Sequence, residues 1–377
     1  MSNSSISDTI QRALSSAGLD TRSGLMKGVG ETIQRALAAA GIGGSTARHD
    51  TARPVPQTLR RASIDDVIDV PVRVVPPFHE FRAPSPAAAE APQRGGRFIT
   101  RSYSNAAGTR SYKLYVPTHH GDKPMPLVVM LHGCTQNPDD FAAGTQMNAL
   151  AERHGFLVAY PAQSANANGQ HCWNWFKTQD QARDAGEPSL IAGITREIAA
   201  AYSVDPQRIF VAGLSAGAAM AVILGVTYPE LYAAVGAHSG LPYGAAHDMP
   251  SAFAAMQGSG QPKRAAMKGV PTIVFHGDRD TTVNTGNAMA VVNQATESVG
   301  LKAPLTRTVH ARENANGRDF TRTVYTDPAG HSRVEQWLLH GAAHAWSGGS
   351  PAGSYADPTG PDASAEMFRF FLAQKVS

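Results

Sequence analysis

The stretch Gly213-Leu214-Ser215-Ala216-Gly217 decides how this chain is read. The apolar run Arg208-Ile209-Phe210-Val211-Ala212 leads into it, and an alanine-rich segment, Ala218 to Tyr228, leads out. That order is strand, sharp turn, helix. The pentapeptide fits G-x-S-x-G, in which the serine occupies the tip of a strained turn that only small neighbours permit. Its hydroxyl projects into a cleft, and the N-terminus of the following helix stabilises negative charge there. In a chain with 36 glycines the string alone is weak evidence. The strand before it and the helix after it distinguish a candidate nucleophile from a structural glycine-rich turn.

Working outward, apolar runs at Leu127–Leu131, Phe156–Tyr160, Arg208–Ala212, Thr272–Phe275 and Val334–Leu339 read as buried strands. Helical patterns at Ala143–Arg153, Ser189–Tyr202, Ala216–Tyr228, Gly286–Val299 and Ala363–Lys375 separate most of them. Pro188 sits where a helix start tolerates it, and Asp362 is placed to cap the last helix. Phe98–Tyr103 and Tyr112–Val116 flank a polar turn with Asn105 and Gly108, the pattern of a hairpin. Strands alternating with helices predict an α/β domain: a mostly parallel central sheet, helices on both faces and a hairpin at one edge. In such a sheet the site lies at the carboxyl ends of the strands, where Ser215 falls.

A serine hydroxyl is a poor nucleophile at neutral pH and needs a base, a group that orients the base, and donors for the oxyanion. The partners are expected in the order Ser, acid, His. His276-Gly277-Asp278-Arg279-Asp280 begins where the strand Thr272–Phe275 ends. Asp280, deeper in that loop, is the favoured acid, and Asp278 the rival that holds the turn. His344, in the small-residue loop Gly341-Ala342-Ala343-His344 after the strand Val334–Leu339, is the favoured base, with His340 as rival. Oxyanion donors are expected from the N–H of Ala216 and of Cys134, the latter in Leu131-His132-Gly133-Cys134-Thr135-Gln136. The tryptophans of His171-Cys172-Trp173-Asn174-Trp175-Phe176, with Trp346 beside the proposed base, either pack locally or form an apolar cleft wall for substrate.

Composition narrows the rest. A chain of 377 residues with 42% hydrophobic and 17% charged residues suits a globular enzyme with a large core. A net charge of +3 gives no reason to expect nucleic acid as a partner. No apolar run reaches transmembrane length. Met1 to Asp8 lacks the basic region and apolar core of a secretory signal, so a cytoplasmic location is expected. The two cysteines, Cys134 and Cys172, allow one bridge or two reduced thiols.

The N-terminal part reads as appended. Thr9-Ile10-Gln11-Arg12-Ala13-Leu14 recurs as Thr32-Ile33-Gln34-Arg35-Ala36-Leu37, so residues 1–42 are expected to form paired short amphipathic helices that must dock on something apolar. Residues 43–95 read as a Pro/Ala-rich linker with a short extended piece at Val70–Val75, and residues 96–377 as the catalytic domain.

Together, Leu131-His132-Gly133-Cys134-Thr135-Gln136, Cys172-Trp173-Asn174-Trp175, Gly213-Leu214-Ser215-Ala216-Gly217, His276-Gly277-Asp278-Arg279-Asp280 and His344-Ala345-Trp346-Ser347-Gly348-Gly349 resemble the esterase family of poly(3-hydroxybutyrate) (PHB) depolymerases with a central lipase box. The resemblance covers about residues 96–375. It implies an α/β-hydrolase fold, a triad of Ser215, Asp280 and His344, an oxyanion donor at Cys134, and a Cys134–Cys172 bridge pinning the tryptophan loop to the oxyanion loop. It implies hydrolysis of short hydroxyalkanoate esters. Many members are secreted, which makes an extracellular location the alternative. Related members cleave feruloyl or acetyl esters on plant polysaccharide.

The expectation is therefore a serine esterase that needs neither cofactor nor metal, acting on hydroxyalkanoate oligomer or polymer. Residues 1–42 are a candidate contact to a hydrophobic granule or polymer surface. A non-catalytic granule-binding scaffold and an aminopeptidase-like hydrolase are the readings from other classes.

Overall fold

The structure, a computed structural model, describes residues 96–118, 123–260, 262, 269–298 and 305–376. The expected paired helices of residues 1–42 and the linker of residues 43–95, Val70–Val75 included, lie outside the described residues.

The chain opens with β1 (Arg97–Asn105) and β2 (Gly108–Val116), then β3 (Met125–Leu131), α1 (Pro138–Thr145), α2 (Met147–His154) and β4 (Leu157–Pro161). After the tryptophan loop come α3 (Gly186–Ala201), β5 (Val204–Leu214), α4 (Ala216–Thr227), β6 (Ala234–His238), α5 (Met249–Ala254), β7 (Thr272–Gly277) and α6 (Gly286–Ser298). β8 (Thr306–Ala315), β9 (Arg318–Thr326), β10 (Ser332–Leu339), the two-residue strands β11 (Trp346–Ser347) and β12 (Ala356–Asp357), and α7 (Ala363–Leu372) complete it. Ten strands form one sheet in the order β1-β2-β4-β3-β5-β6-β7-β10-β9-β8. The six central strands pair in parallel, and antiparallel strands finish both edges.

Alternation along each strand sorts side chains between two cores. Leu127, Val129 and Leu131 of β3 join a layer with Ile191 and Ile194 of α3, Ile223 of α4 and Val291 of α6. Val128 and Met130 join the other, with Phe141 of α1, Leu150 of α2 and Met367 and Phe371 of α7. Each fully buried side chain of this size contributes roughly 1.5–3 kcal/mol. A parallel strand covered on both faces must be apolar throughout, which is why these runs are continuous.

Three differences from the sequence reading have physical causes. The single helix expected at Ala143–Arg153 is two. Asn137 caps an earlier start through the N–H groups of Asp139 and Asp140, and Gln146, left-handed at φ 54°, separates α1 from α2. β6 was missed because Ala-Val-Gly-Ala-His has few of the branched residues that mark strands. Its Gly236 is needed, since a Cβ there would lie 2.6 Å from Met367 Sδ. The β8–β9 hairpin was missed because its strands are mostly polar, although its Asn316-Gly317 turn, with both residues at positive φ, is a strong hairpin signal.

Among the described residues no helix is long and apolar enough to cross a membrane. Because β3, β5, β7 and β10 run in parallel, the loops that follow them emerge along one edge of the sheet. Those loops carry Cys134, Ser215, Asp280 and His344.

Candidate active site

The turn between β5 and α4 explains both glycines of the pentapeptide. A Cβ on Gly213 would stand 2.4 Å from the Gly217 carbonyl carbon, and one on Gly217 would stand 2.0 Å from the Leu131 oxygen. Ser215 itself sits at φ 57°, ψ −120°, a conformation that strains any L-residue. Its N–H donates to the His238 oxygen at 2.9 Å, tying the turn to β6. Gly133 approaches from β3; a Cβ there would lie 3.6 Å from Ser215 Cβ.

The loop after β7 meets the loop after β10. His344 Nδ1 bonds Asp280 Oδ2 at 2.7 Å across 64 residues of sequence. Asp280 Oδ1 accepts from the N–H groups of Thr282 and Val283 at 2.9 and 2.8 Å. Burial alone would raise this carboxyl, but the bonds from His276 and His344 outweigh it and hold it well below the usual carboxylate range. With Nδ1 engaged, His344 Nε2 is left to serve as a base. Among the described residues no hydrogen bond joins Ser215 Oγ to His344.

The rival residues pair with each other. His340 Nδ1 lies 3.0 Å from Asp278 Oδ2, and the Gly341 N–H donates to Asp278 Oδ1 at 2.7 Å. Two backbone bonds, Asp278 N–H to Leu339 O and Arg279 N–H to Ala342 O, both 3.0 Å, join the same loops. The second aspartate–histidine pair thus fastens the loop after β7 to the loop after β10.

The loop after β3, which carries Cys134, is held from both sides. Cys134 and Cys172 are joined by a disulfide, and the Thr135 N–H donates to Gln170 O at 2.7 Å. Gln136 Oε1 accepts the Gly133 N–H at 2.9 Å while its Nε2 donates to Asp140 and Ser354. Ala216, the first residue of α4, carries an N–H that the helix cannot satisfy. Among the described residues no acceptor takes the Cys134 N–H.

Sequence reasoning missed the residues that support this loop. His132 Nε2 accepts the Gln163 N–H at 3.1 Å, and burial pulls the His132 imidazole down to about 4. The Gln163 side chain donates to Cys172 O and to the buried Glu187, which also accepts from the Asn174 N–H at 2.7 Å and from Arg110 at 3.4 Å. Burial pushes the Glu187 carboxyl up. Nothing periodic marks Glu187, and the sequence reading started this helix at Ser189, whereas α3 begins at Gly186 and takes Glu187 into its first turn.

The tryptophans need correcting as a cleft wall. Trp173 and Trp346 are buried at 0% and 1% exposure, and Trp175 keeps only 6%. Trp346 stacks on His238 and meets Phe141 edge-on, while Trp173 lies against His132. They support the site from inside the core because only there can aromatics this large be covered on every side. The aromatic that does border His344 is Tyr355, half-exposed, its ring centroid 6.5 Å from that of His344.

A mostly parallel sheet flanked by helices, with a strained serine between a central strand and its helix, defines an α/β-hydrolase. The family of esterases described as PHB depolymerase matches residues 110–316, and the chain belongs to it. The chain is 34% identical over 232 residues to poly(3-hydroxyalkanoate) depolymerase C of Paucimonas lemoignei, covering 58% of this chain and 54% of that one. It is 34% identical over 147 residues to a probable acetylxylan esterase A of Aspergillus fumigatus, covering 39% and 38%. The chain thus spans about half or less of these relatives' lengths. The solved acetyl xylan esterase from Aspergillus awamori superposes with a TM-score of 0.60 at 21% identity, over 73% of this chain and 99% of that one, a likeness of fold.

Proposed function

We propose that the chain is a serine esterase acting on hydroxyalkanoate esters through Ser215, His344 and Asp280. The observation that carries the reading is the 2.7 Å bond between His344 Nδ1 and an ionised Asp280, formed at the strand edge where Ser215 stands. Ser215 Oγ attacks the ester carbonyl carbon and passes its proton to His344 Nε2. The N–H groups of Ala216 and Cys134 hold the oxyanion. The alkoxide leaves with the proton from His344. Water, deprotonated by His344, then attacks the acyl carbon, and the carboxylic acid leaves as Ser215 recovers its proton.

Replacing Ser215 with Ala is expected to lower p-nitrophenyl butyrate turnover by about 10⁴-fold or more while circular dichroism stays unchanged. Retained activity would sink the assignment, and a serine-directed phosphonate is expected to label wild-type Ser215. Measurable ester turnover excludes the scaffold reading. Amide cleavage rivalling ester cleavage would favour the aminopeptidase-like one.

The hydroxyalkanoate preference is supported by the Paucimonas lemoignei relative. A panel of hydroxybutyrate oligomers, feruloyl esters and acetylated sugars tests it; faster cleavage of either sugar-linked class would replace it. For residues 1–42 we retain the polymer-surface role. The Cys134–Cys172 bridge supports the extracellular alternative over the cytoplasm, because cytosolic thiols are kept reduced.

A further inference from the structure

We propose that His276 is a positioning residue of this site: its Nε2–H, shared between the Val283 carbonyl and Asp280 Oδ2, fixes the carboxylate that orients His344 and moderates the negative charge His344 meets. The proposal rests on the triad reading above and adds a fourth side chain to it.

His276 is the penultimate residue of β7, and its side chain is 1% exposed. Nε2 lies 2.8 Å from Val283 O and 3.3 Å from Asp280 Oδ2. Both partners only accept, the carboxylate being ionised, so Nε2 must carry the proton. Nδ1 is buried and has no hydrogen-bond partner among the described residues. An imidazole held with one nitrogen unpaired is a poor choice for packing alone, and its paired nitrogen is turned to the acid of the site.

The contacts close a ring. Val283 donates its N–H to Asp280 Oδ1 and accepts from His276 through its carbonyl. Asp280 Oδ1 is fixed by two backbone N–H groups, while Oδ2 is fixed by two imidazoles, His344 and His276. Without His276, Oδ2 keeps one side-chain donor, the base it is meant to orient.

The charge argument has a definite sign. The titratable groups facing His344 are Asp280 from the loop after β7, His238 from β6 and Tyr355 from the loop after β11. Asp278 turns instead to His340. Burial lowers His238 to about 3, so it stays neutral while the site works. Asp280 is therefore the charge that His344 feels. Removing the His276 donor leaves more negative charge on Oδ2, favours the imidazolium form of His344, and moves the acid limb of the activity profile to higher pH.

The test compares His276→Met, which fills similar space without a donor, with His276→Gln, whose amide N–H₂ can reach the same acceptors. For p-nitrophenyl butyrate, the Met variant is expected to lose roughly tenfold in kcat. Its acid limb in kcat/KM is expected to rise by about half a pH unit or more. The Gln variant is expected to restore the wild-type limb. A Met limb that coincides with wild type, or a Gln limb that moves with it, overturns the proposal; a merely structural role would lower activity or stability and leave the limb in place. Imidazole ¹⁵N resonances of the wild-type enzyme test it without any variant, and a His276 protonated on Nδ1 alone would overturn it. Phosphonate labelling separates the two readings. An unlabelled Ser215 defeats the triad, whereas a labelled Ser215 with an unmoved Met limb defeats only the role of His276.

Discussion

Gly217 has no room for a methyl group, because its α-carbon passes within contact of the Leu131 and His132 carbonyls. Gly217→Ala is therefore expected to destabilise the fold by about 3 kcal/mol, read as a lower urea midpoint. Ser215→Ala removes only a hydroxyl, keeps the strained backbone, and is expected to stay within about 1 kcal/mol of wild type. Titration at single residues gives two further expectations. Asp280 stays ionised well below the usual carboxylate range, so its stabilising contribution is complete above the unfolded value of about 3.9 and is lost only in strong acid. Asp280→Asn is expected to cut kcat by about 10⁴-fold through the wrong imidazole tautomer. His132 and His238 act in the same direction as Asp280, in a higher pH window. Burial holds them at about 4 and about 3, whereas the unfolded chain protonates them near 6.5. Between those values the unfolded chain binds the extra protons, so stability falls on acidification by about 1.4 kcal/mol per pH unit for each histidine. Urea midpoints measured from pH 7 to pH 4 check this, and His238→Gln is expected to flatten the slope.

At the scale of elements, the site depends on how four loops are joined. The disulfide closes a segment of 38 residues that includes α1, α2 and β4. Replacing both cysteines with serine is expected to destabilise by about 2–4 kcal/mol. Because the same bridge holds the loop of the Cys134 N–H, kcat is expected to fall more than KM changes. Denatured protein isolated without reductant is expected to show no free thiol with a thiol-reactive dye; two free thiols would restore the cytoplasmic reading. The Asp278–His340 pair fastens the base loop through partly exposed groups, so Asp278→Asn is expected to lower kcat only a few-fold. Elements that the sequence hid share one cause: β6 is made of small residues and β8–β9 of polar ones, so neither carries an apolar period. Packing against α7 and pairing with β10 make them strands.

For the whole molecule, two cores on opposite faces of one sheet hold the parallel strands so that their loops share an edge. Deleting residues 1–42 is expected to reduce binding to polymer particles without reducing soluble-ester turnover. Unchanged particle binding counts against that role. The alternation of strand and helix, the turn around Ser215 and the chain order of Ser215, Asp280 and His344 are legible in the sequence alone, because hydrophobic period and glycine placement are local properties. Only the tertiary structure decided which aspartate meets which histidine, that the tryptophans face inward, and that His276 and Glu187 stand behind the site. Those facts depend on distances between segments far apart in the chain, such as the 64 residues separating Asp280 from His344, and no local pattern encodes them.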